Sequence, residues 1–108
     1  WMKRFTGEGD APNRLDAILH EDLAGLREAR QSEDHRITRW IGTLNEAALA
    51  GTFTYRRVST PDIFTQPLAP ALFHFFNHQT HHRGQASTLL SQAGVDIGVT
   101  DLLEWISD

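Results

Sequence analysis

Apolar side chains recur at helical spacing through the first long segment of the chain, "APNRLDAILHEDLAGLREARQSEDHRITRWIGTL". At about 100° per residue they form one stripe, which consists of Leu15, Ile18, Leu19, Leu26, Ala29, Ile37, Trp40, Ile41 and Leu44. Asn13 suits the N-cap position, and Asp16 places negative charge in the first turn. The pattern predicts an amphipathic helix that begins after Asn13, with His20 and His35 on its solvent side.

A second helical pattern lies in "QPLAPALFHFFNHQTHHRGQASTLLSQAG". Pro67 and Pro70 fit only the first turn of this helix, because later turns require the N–H that proline lacks. Gly94 is expected to end the helix. Gly84 stands in the interior, where glycine costs roughly 1 kcal/mol relative to alanine, so we predict a close approach of another backbone or a ligand there.

Shorter elements surround these two helices. "WMKRFTGEG" is typical of the last turn of a helix that ends at Gly7, and we expect the chain to be cut from a longer one. "NEAALAG" predicts a helical turn closed by Gly51. The β-favouring residues of "TFTYRRVSTPDIFTQ", around a Ser-Thr-Pro-Asp turn, predict a short hairpin. Near the end of the chain, Thr100 is expected to cap a helical turn from Asp101 to Ile106.

Polar side chains interrupt the apolar stripe of the second long helix. The arc of this stripe is set by Leu68, Leu72, Phe75, Ala86, Leu90 and Ala93. The polar residues that fall inside or beside the arc are His78, Gln79, His82 and Arg83. Buried polar groups need partners, so a polar band within a core-facing stripe needs an explanation.

His78 and His82 have the spacing of a metal-binding pair. Residues four apart project side by side on a helix, which lets two imidazoles hold one ion. The wheel places His82 about 40° and His78 about 80° from the centre of the arc, whereas His74 and His81 point about 120° and 140° away. We therefore predict His78 and His82 as metal ligands. The alternative is a chance H-x-x-x-H match, and two ligands alone do not make a tight site.

Other chemical motifs are weak or missing. "HQTHH" has glutamine where a zinc protease needs its glutamate. No serine stands in a G-x-S-x-G turn that would make His81 part of a nucleophile triad. Arg56 and Arg57 form one basic pair beside Tyr55 in an acidic chain, which is more typical of a solvated strand edge than of a phosphate contact.

Composition excludes several classes of partner. The net charge of −4 and a pI near 5.8 argue against nucleic acid. No apolar run approaches about 18 residues, so we expect no membrane span. Cysteine is absent, which excludes thiolate ligands and disulfides and is compatible with the predicted cytoplasmic location.

The length predicts a single domain, residues 1–108, with only part of a core. Two long amphipathic helices do not cover each other's apolar stripes, since helical bundles normally use four helices. We expect the rest of the core to come from a missing segment or from a second chain, and predict a homodimer.

"FNHQTHHRGQ", followed by "LLSQAGVDIGVTDLLEWI", resembles the closing helix and tail of the DinB family, also called DinB/YfiT-like metalloenzymes. "WMKRFTG" is similar to the end of the family's second helix, and "LDAILHEDLAGLREAR" to the start of its third. The resemblance thus covers nearly the whole chain. It implies an all-α fold, the DinB/YfiT-like four-helix bundle, of which this chain holds the end of helix 2, helices 3 and 4, and the short hairpin between them.

The resemblance also implies a metal site. Family members bind a divalent metal, zinc or nickel among others, through three histidines. Two of these match His78 and His82, and the third is expected upstream of Trp1. Gln79, Arg83 and Gln85 are then candidates to support the ligands or to face the substrate, although a structural role for Arg83 is an equal alternative. No catalytic residue is assigned.

Characterised relatives include thiol-dependent S-transferases. The resemblance therefore implies a metal-dependent enzyme of the thiol S-transferase or hydrolase type, with a small-molecule substrate and a low-molecular-weight thiol as a second cofactor. The alternative is a non-catalytic, homodimeric helical-bundle module for binding or structure, with an incomplete metal site.

Overall fold

The computed structural model describes residues 1–106. These residues form five helices, with one β-hairpin between the third helix and the fourth. In chain order they are α1 (Met2–Thr6), α2 (Leu23–Ile41), α3 (Glu46–Leu49), β1 (Thr52–Arg56), β2 (Ile63–Pro67), α4 (Leu68–Gln92) and α5 (Leu102–Ile106). The residues form two compact units, Trp1–Leu72 and a second that begins at Phe73. The assignment of residues 1–108 to one domain stays a prediction.

The all-α fold class, with its four-helix bundle, is wrong. β1 and β2 pair antiparallel, from Thr52 opposite Pro67 to Arg56 opposite Ile63, so the chain is mixed α/β. The hairpin itself is confirmed. It changes the class because it is part of the packing: α1 lies against β1, where the rings of Phe5 and Phe53 are 4.9 Å apart.

An aromatic cluster around Phe5 joins three elements of the first unit. The Phe5 ring lies 5.6 Å from Trp1, 5.0 Å from Trp40 and 4.9 Å from Phe53, measured between ring centroids. Stacked and tilted rings at these separations are the favourable arrangements of aromatic pairs. The cluster therefore ties α1, α2 and β1 together at one point.

Most of the short predicted elements are confirmed. α1 ends at Gly7, which has the left-handed conformation typical of a helix C-terminus. α3 is capped by Asn45, whose side chain accepts a hydrogen bond from the backbone N–H of Ala48 at 2.9 Å. α5 lies within the predicted turn from Asp101 to Ile106.

The start of α2 differs from the prediction. Asp22 is the N-cap, with Oδ1 accepting from the backbone N–H of Gly25 at 2.7 Å, and the residues from 7 to 22 are not helical. The carboxylate of Asp16 is held by Arg14, at 3.0 and 2.7 Å. The apolar stripe there is uncovered, with Leu15 79% exposed. Because helices in proteins are stabilised chiefly by packing of an apolar face, this stretch lacks the contacts that would make it helical.

The Asp22 cap has a testable consequence. We expect Asp22→Ala to lower the free energy of unfolding by about 1 kcal/mol, since an orphan N–H at the helix start loses its acceptor. Urea titration followed by circular dichroism measures the change. Asp16→Ala is the matched control, with an expected change within about 0.5 kcal/mol. A larger loss at Asp16 than at Asp22 would contradict this helix start.

The long helix α4 ends as predicted, but Pro67 is the last residue of β2 and not part of the first turn of the helix, and only half of the predicted core face is buried. It follows directly after Pro67 and stops before Gly94, where φ is +77°. Leu68, Leu72 and Phe75 are buried, whereas Leu90 is 44% exposed. The second half of the stripe is therefore uncovered in residues 1–106.

Gly84 does not mark a close approach. A Cβ built at this position meets no atom within 4 Å among the described residues. The predicted close approach of another backbone is therefore not found within residues 1–106, whereas the predicted contact with a ligand stays a prediction.

We therefore expect Gly84→Ala to raise the free energy of unfolding by roughly 1 kcal/mol, through the better helix propensity of alanine. Gly94→Ala is the control, because φ +77° at the helix end strains any residue with a Cβ, and this variant should lose stability. Thermal unfolding of both variants decides the matter. A destabilised Gly84→Ala would show that a neighbour does occupy the space.

The core is small and much apolar surface is exposed. Among residues 1–106 the buried hydrophobic side chains are Met2, Ile37, Leu68, Leu72 and Phe75. Large exposed ones include Phe73, Leu102, Leu103 and Trp105. No helix in this range is both long and apolar enough to cross a membrane.

Candidate metal site

His78 and His82 meet on α4 through their outer ring nitrogens. The two Nε2 atoms lie 3.0 Å apart, and the rings are nearly perpendicular with centroids 4.4 Å apart. A tetrahedral ion with metal–nitrogen distances of 2.0–2.1 Å places two such nitrogens about 3.3 Å apart. The pair therefore already has nearly the separation that a shared ion requires.

Gln85 fixes the other side of the His82 ring. Its Oε1 lies 2.8 Å from His82 Nδ1. A carbonyl oxygen only accepts hydrogen bonds, so this contact requires the His82 tautomer with the proton on Nδ1 and the lone pair on Nε2. In that tautomer the lone pair can accept a hydrogen bond from Nε2–H of His78, 3.0 Å away. A metal would take the place of this proton.

The surroundings of His78 favour its neutral form. Desolvation, followed by the neighbouring imidazoles of His82, His74 and His81, lowers the pKa of His78 below the usual histidine value. A metal ligand must be a neutral imidazole, and the lowered pKa favours that form of His78.

All four histidines of α4 lie in one cluster. The ring of His74 is 5.4 Å from that of His78, and His81 is 5.2 Å from His82 and 6.4 Å from His78, between centroids. The wheel placed His74 and His81 far from the core direction, yet they are only about 40° and 60° from His78 itself. Residues three and four apart on a helix are neighbours, so the sequence contains the signal for this cluster.

The inward orientation of the pair is only partial. His78 and Gln79 are half-buried, whereas His82, Arg83 and Gln85 are exposed. The polar residues therefore border the covered part of α4 and are not buried within a core. A pair at this border has solvent access, which an incoming ion or substrate requires.

Arg83 contacts its own helix. Its NH2 donates to Thr80 Oγ1 at 3.0 Å, and that hydroxyl donates to the backbone oxygen of Phe76 at 3.2 Å. This arrangement agrees with the structural alternative for Arg83. It leaves the other guanidinium N–H groups available to an anion.

His78 and His82 are two candidate metal ligands. Residues 1–106 contain no group of three histidine, cysteine or acidic side chains that is already arranged to hold an ion. Catalytic zinc sites generally use three protein ligands and one open position. The donor type fits a metal such as zinc or nickel, but the number of donors is one short.

In a comparison with protein-family models, residues 1–107 match the DinB family. The chain belongs to the DinB family. Proteins of the DinB family are in general associated with metals, and the matched range includes all of α4 with its imidazole pair. Comparisons with curated proteins and with solved structures found no match.

Proposed function

We propose that this DinB protein binds a divalent metal through Nε2 of His78 and Nε2 of His82. The supporting observation is the 3.0 Å separation of these two atoms, with Gln85 Oε1 lying 2.8 Å from the opposite ring nitrogen of His82. Imidazole donors suit zinc and nickel. Further positions on the ion are taken by water, by substrate, or by a group outside residues 1–106.

The proposed activity is that of a metal-dependent enzyme of the thiol S-transferase or hydrolase type, acting on a small molecule. A bound divalent ion lowers the pKa of a water or thiol into the physiological range. The chain's own residues would hold that ion in place: Gln85 orients His82, and His78 stays neutral. Arg83 follows His82 directly, and those of its N–H groups that do not contact Thr80 are available, within residues 1–106, to an anionic substrate.

Arg83 is the only lysine or arginine between residues 73 and 106. Arg83 is therefore the one lysine or arginine side chain of this segment that can form an ion pair with a negatively charged substrate. A low-molecular-weight thiol as second cofactor, and a cytoplasmic location, belong to the same proposal.

The alternative is a non-catalytic homodimer that serves as a binding or structural module. It is favoured by the exposed apolar side chains of α5, of which Leu103 and Trp105 are 74% and 76% exposed, because apolar patches of this kind mark interaction sites. Sedimentation of the purified chain separates a dimer from a monomer. Dimerisation and metal binding are compatible, so a dimer does not reject the enzyme, whereas a chain that binds no metal does.

The test is the metal content of the 108-residue chain purified without a histidine tag. We expect about one zinc or nickel ion per chain in equilibrium dialysis against the ion, removable by a chelator. A chain that retains neither ion would contradict the proposal.

A further inference from the structure

Gln85 lies one helical turn after His82, and its contact is directed to the nitrogen that the proposed site does not use. Oε1 of Gln85 is 2.8 Å from His82 Nδ1, while His82 Nε2, at the far side of the ring, is 3.0 Å from His78 Nε2. The His82 ring is thus held at both ends. The metal-binding nitrogen is at one end and an amide is at the other.

We propose that Gln85 is a positioning residue which fixes the tautomer of His82, so that Nε2 is the nitrogen that binds the ion. This inference rests on the proposed function. Without such a partner, a neutral imidazole exchanges its proton between the two nitrogens, and the lone pair is present on Nε2 only part of the time. A hydrogen-bonded partner on the other ring nitrogen also restrains ring rotation and raises the basicity of the ligand.

Other contacts of the cluster do not fulfil this role. His81 and His74 contact the pair through their rings. An imidazole can either donate or accept a hydrogen bond, so it does not force the proton of a neighbouring histidine onto one nitrogen, whereas a group that only accepts does. Arg83 donates to Thr80, and a guanidinium has no acceptor to offer to Nδ1–H. Gln85 is the neighbour whose carbonyl meets Nδ1 directly.

The hydrogen bond between Gln85 and His82 Nδ1 can run in either direction, and each direction gives His82 a different tautomer. If the Gln85 carbonyl accepts from Nδ1–H, the Nε2 lone pair is free for the ion. If instead the Gln85 amide donates to Nδ1, then Nε2 carries the proton and must lose it before an ion binds. Glutamate in place of Gln85 offers only acceptors at high pH, so Gln85→Glu supports the first arrangement and disrupts the second.

The experiment compares zinc affinities of the 108-residue chain at pH 8, where imidazoles are neutral, by competition with a chromophoric chelator. We expect Gln85→Leu to weaken zinc binding about 10- to 100-fold, the usual cost of losing such a partner. Gln85→Glu should retain the wild-type affinity or exceed it. Gln92→Leu is the matched control, since Gln92 is an exposed glutamine of the same helix, roughly 15 Å along the axis from His82.

A nitrogen-15 NMR spectrum of the metal-free chain gives a second readout that a merely structural role would not change. We expect the Nδ1–H tautomer of His82 in the wild type and in Gln85→Glu, and a mixture of tautomers in Gln85→Leu. Equal zinc affinity of Gln85→Leu and the wild type would overturn the inference, as would Gln85→Glu binding as weakly as Gln85→Leu.

Different results would contradict the proposed metal binding and the proposed role of Gln85. A wild-type chain that binds no zinc or nickel contradicts the proposed function itself. A wild type that binds zinc, loses it on His82→Ala, and keeps it on Gln85→Leu leaves the proposed function intact and overturns only the role of Gln85. Circular dichroism of each variant confirms that the exposed substitutions leave the helix content unchanged.

Discussion

His82→Ala is expected to weaken zinc binding at least about 100-fold. The substitution removes one of the two imidazole donors whose Nε2 atoms are 3.0 Å apart, and a direct ligand should cost more than the 10- to 100-fold loss that follows removal of an outer partner. His78→Ala should have the same effect, because neither imidazole alone makes a tight site. A competition titration with a chromophoric chelator measures both variants.

The neighbouring histidines provide the matched controls. His74→Ala and His81→Ala each remove an imidazole from the same cluster, at ring distances of 5.4 and 5.2 Å from a member of the pair. We expect these variants to bind zinc within about threefold of the wild type. If His81→Ala lost as much affinity as His82→Ala, zinc would be bound by the histidine-rich helix in general and the specific pair would be rejected.

Sequence patterns predicted the elements whose ends are set by local chemistry. The helix α4 begins after Pro67 and ends before Gly94, α3 follows the cap of Asn45, and the hairpin forms from residues that favour strands. These features depend on backbone preferences within a few residues. They are therefore readable without knowledge of the packing around them.

The errors arose where packing decides. Leu15 and its apolar neighbours have the same periodicity as the residues of α2, but no residue in the described range 1–106 covers them, and the helix begins only at the Asp22 cap. The all-α class was wrong because the hairpin was predicted as a connection, whereas Phe53 brings it into the aromatic cluster around Phe5. Periodicity gives the direction of a side chain, but not what lies in that direction.

In the candidate site, too, the sequence predicted what depends on helix spacing but not what depends on packing. The i, i+4 spacing predicted that His78 and His82 are neighbours, and the 3.0 Å contact agrees with this. A helical wheel does not show that His82 is exposed, because exposure depends on the other elements. The resemblance made Gln85 one of three candidates to support the ligands, but it did not show which of them contacts His82, since that contact requires a particular rotamer at both residues.

The second large effect is expected in the first unit. Phe5→Ala should lower the free energy of unfolding by about 2–3 kcal/mol, somewhat less than the 3–5 kcal/mol typical of a fully buried phenylalanine, because Phe5 is half-buried. The substitution removes three ring contacts at once, with Trp1, Trp40 and Phe53. Each such pair contributes about 0.5–1.5 kcal/mol beyond the area it buries.

Thermal unfolding followed by tryptophan fluorescence is suited to this measurement, because Trp1 and Trp40 both stack on Phe5. We expect the midpoint to fall by about 10 °C or more. Phe73→Ala is the matched control: this phenylalanine is 81% exposed, so the same loss of side chain should change stability by less than about 0.5 kcal/mol. If both substitutions lowered the free energy of unfolding equally, the three ring contacts of Phe5 would contribute nothing specific. The claim that the Phe5 cluster holds α1, α2 and β1 together would then be wrong.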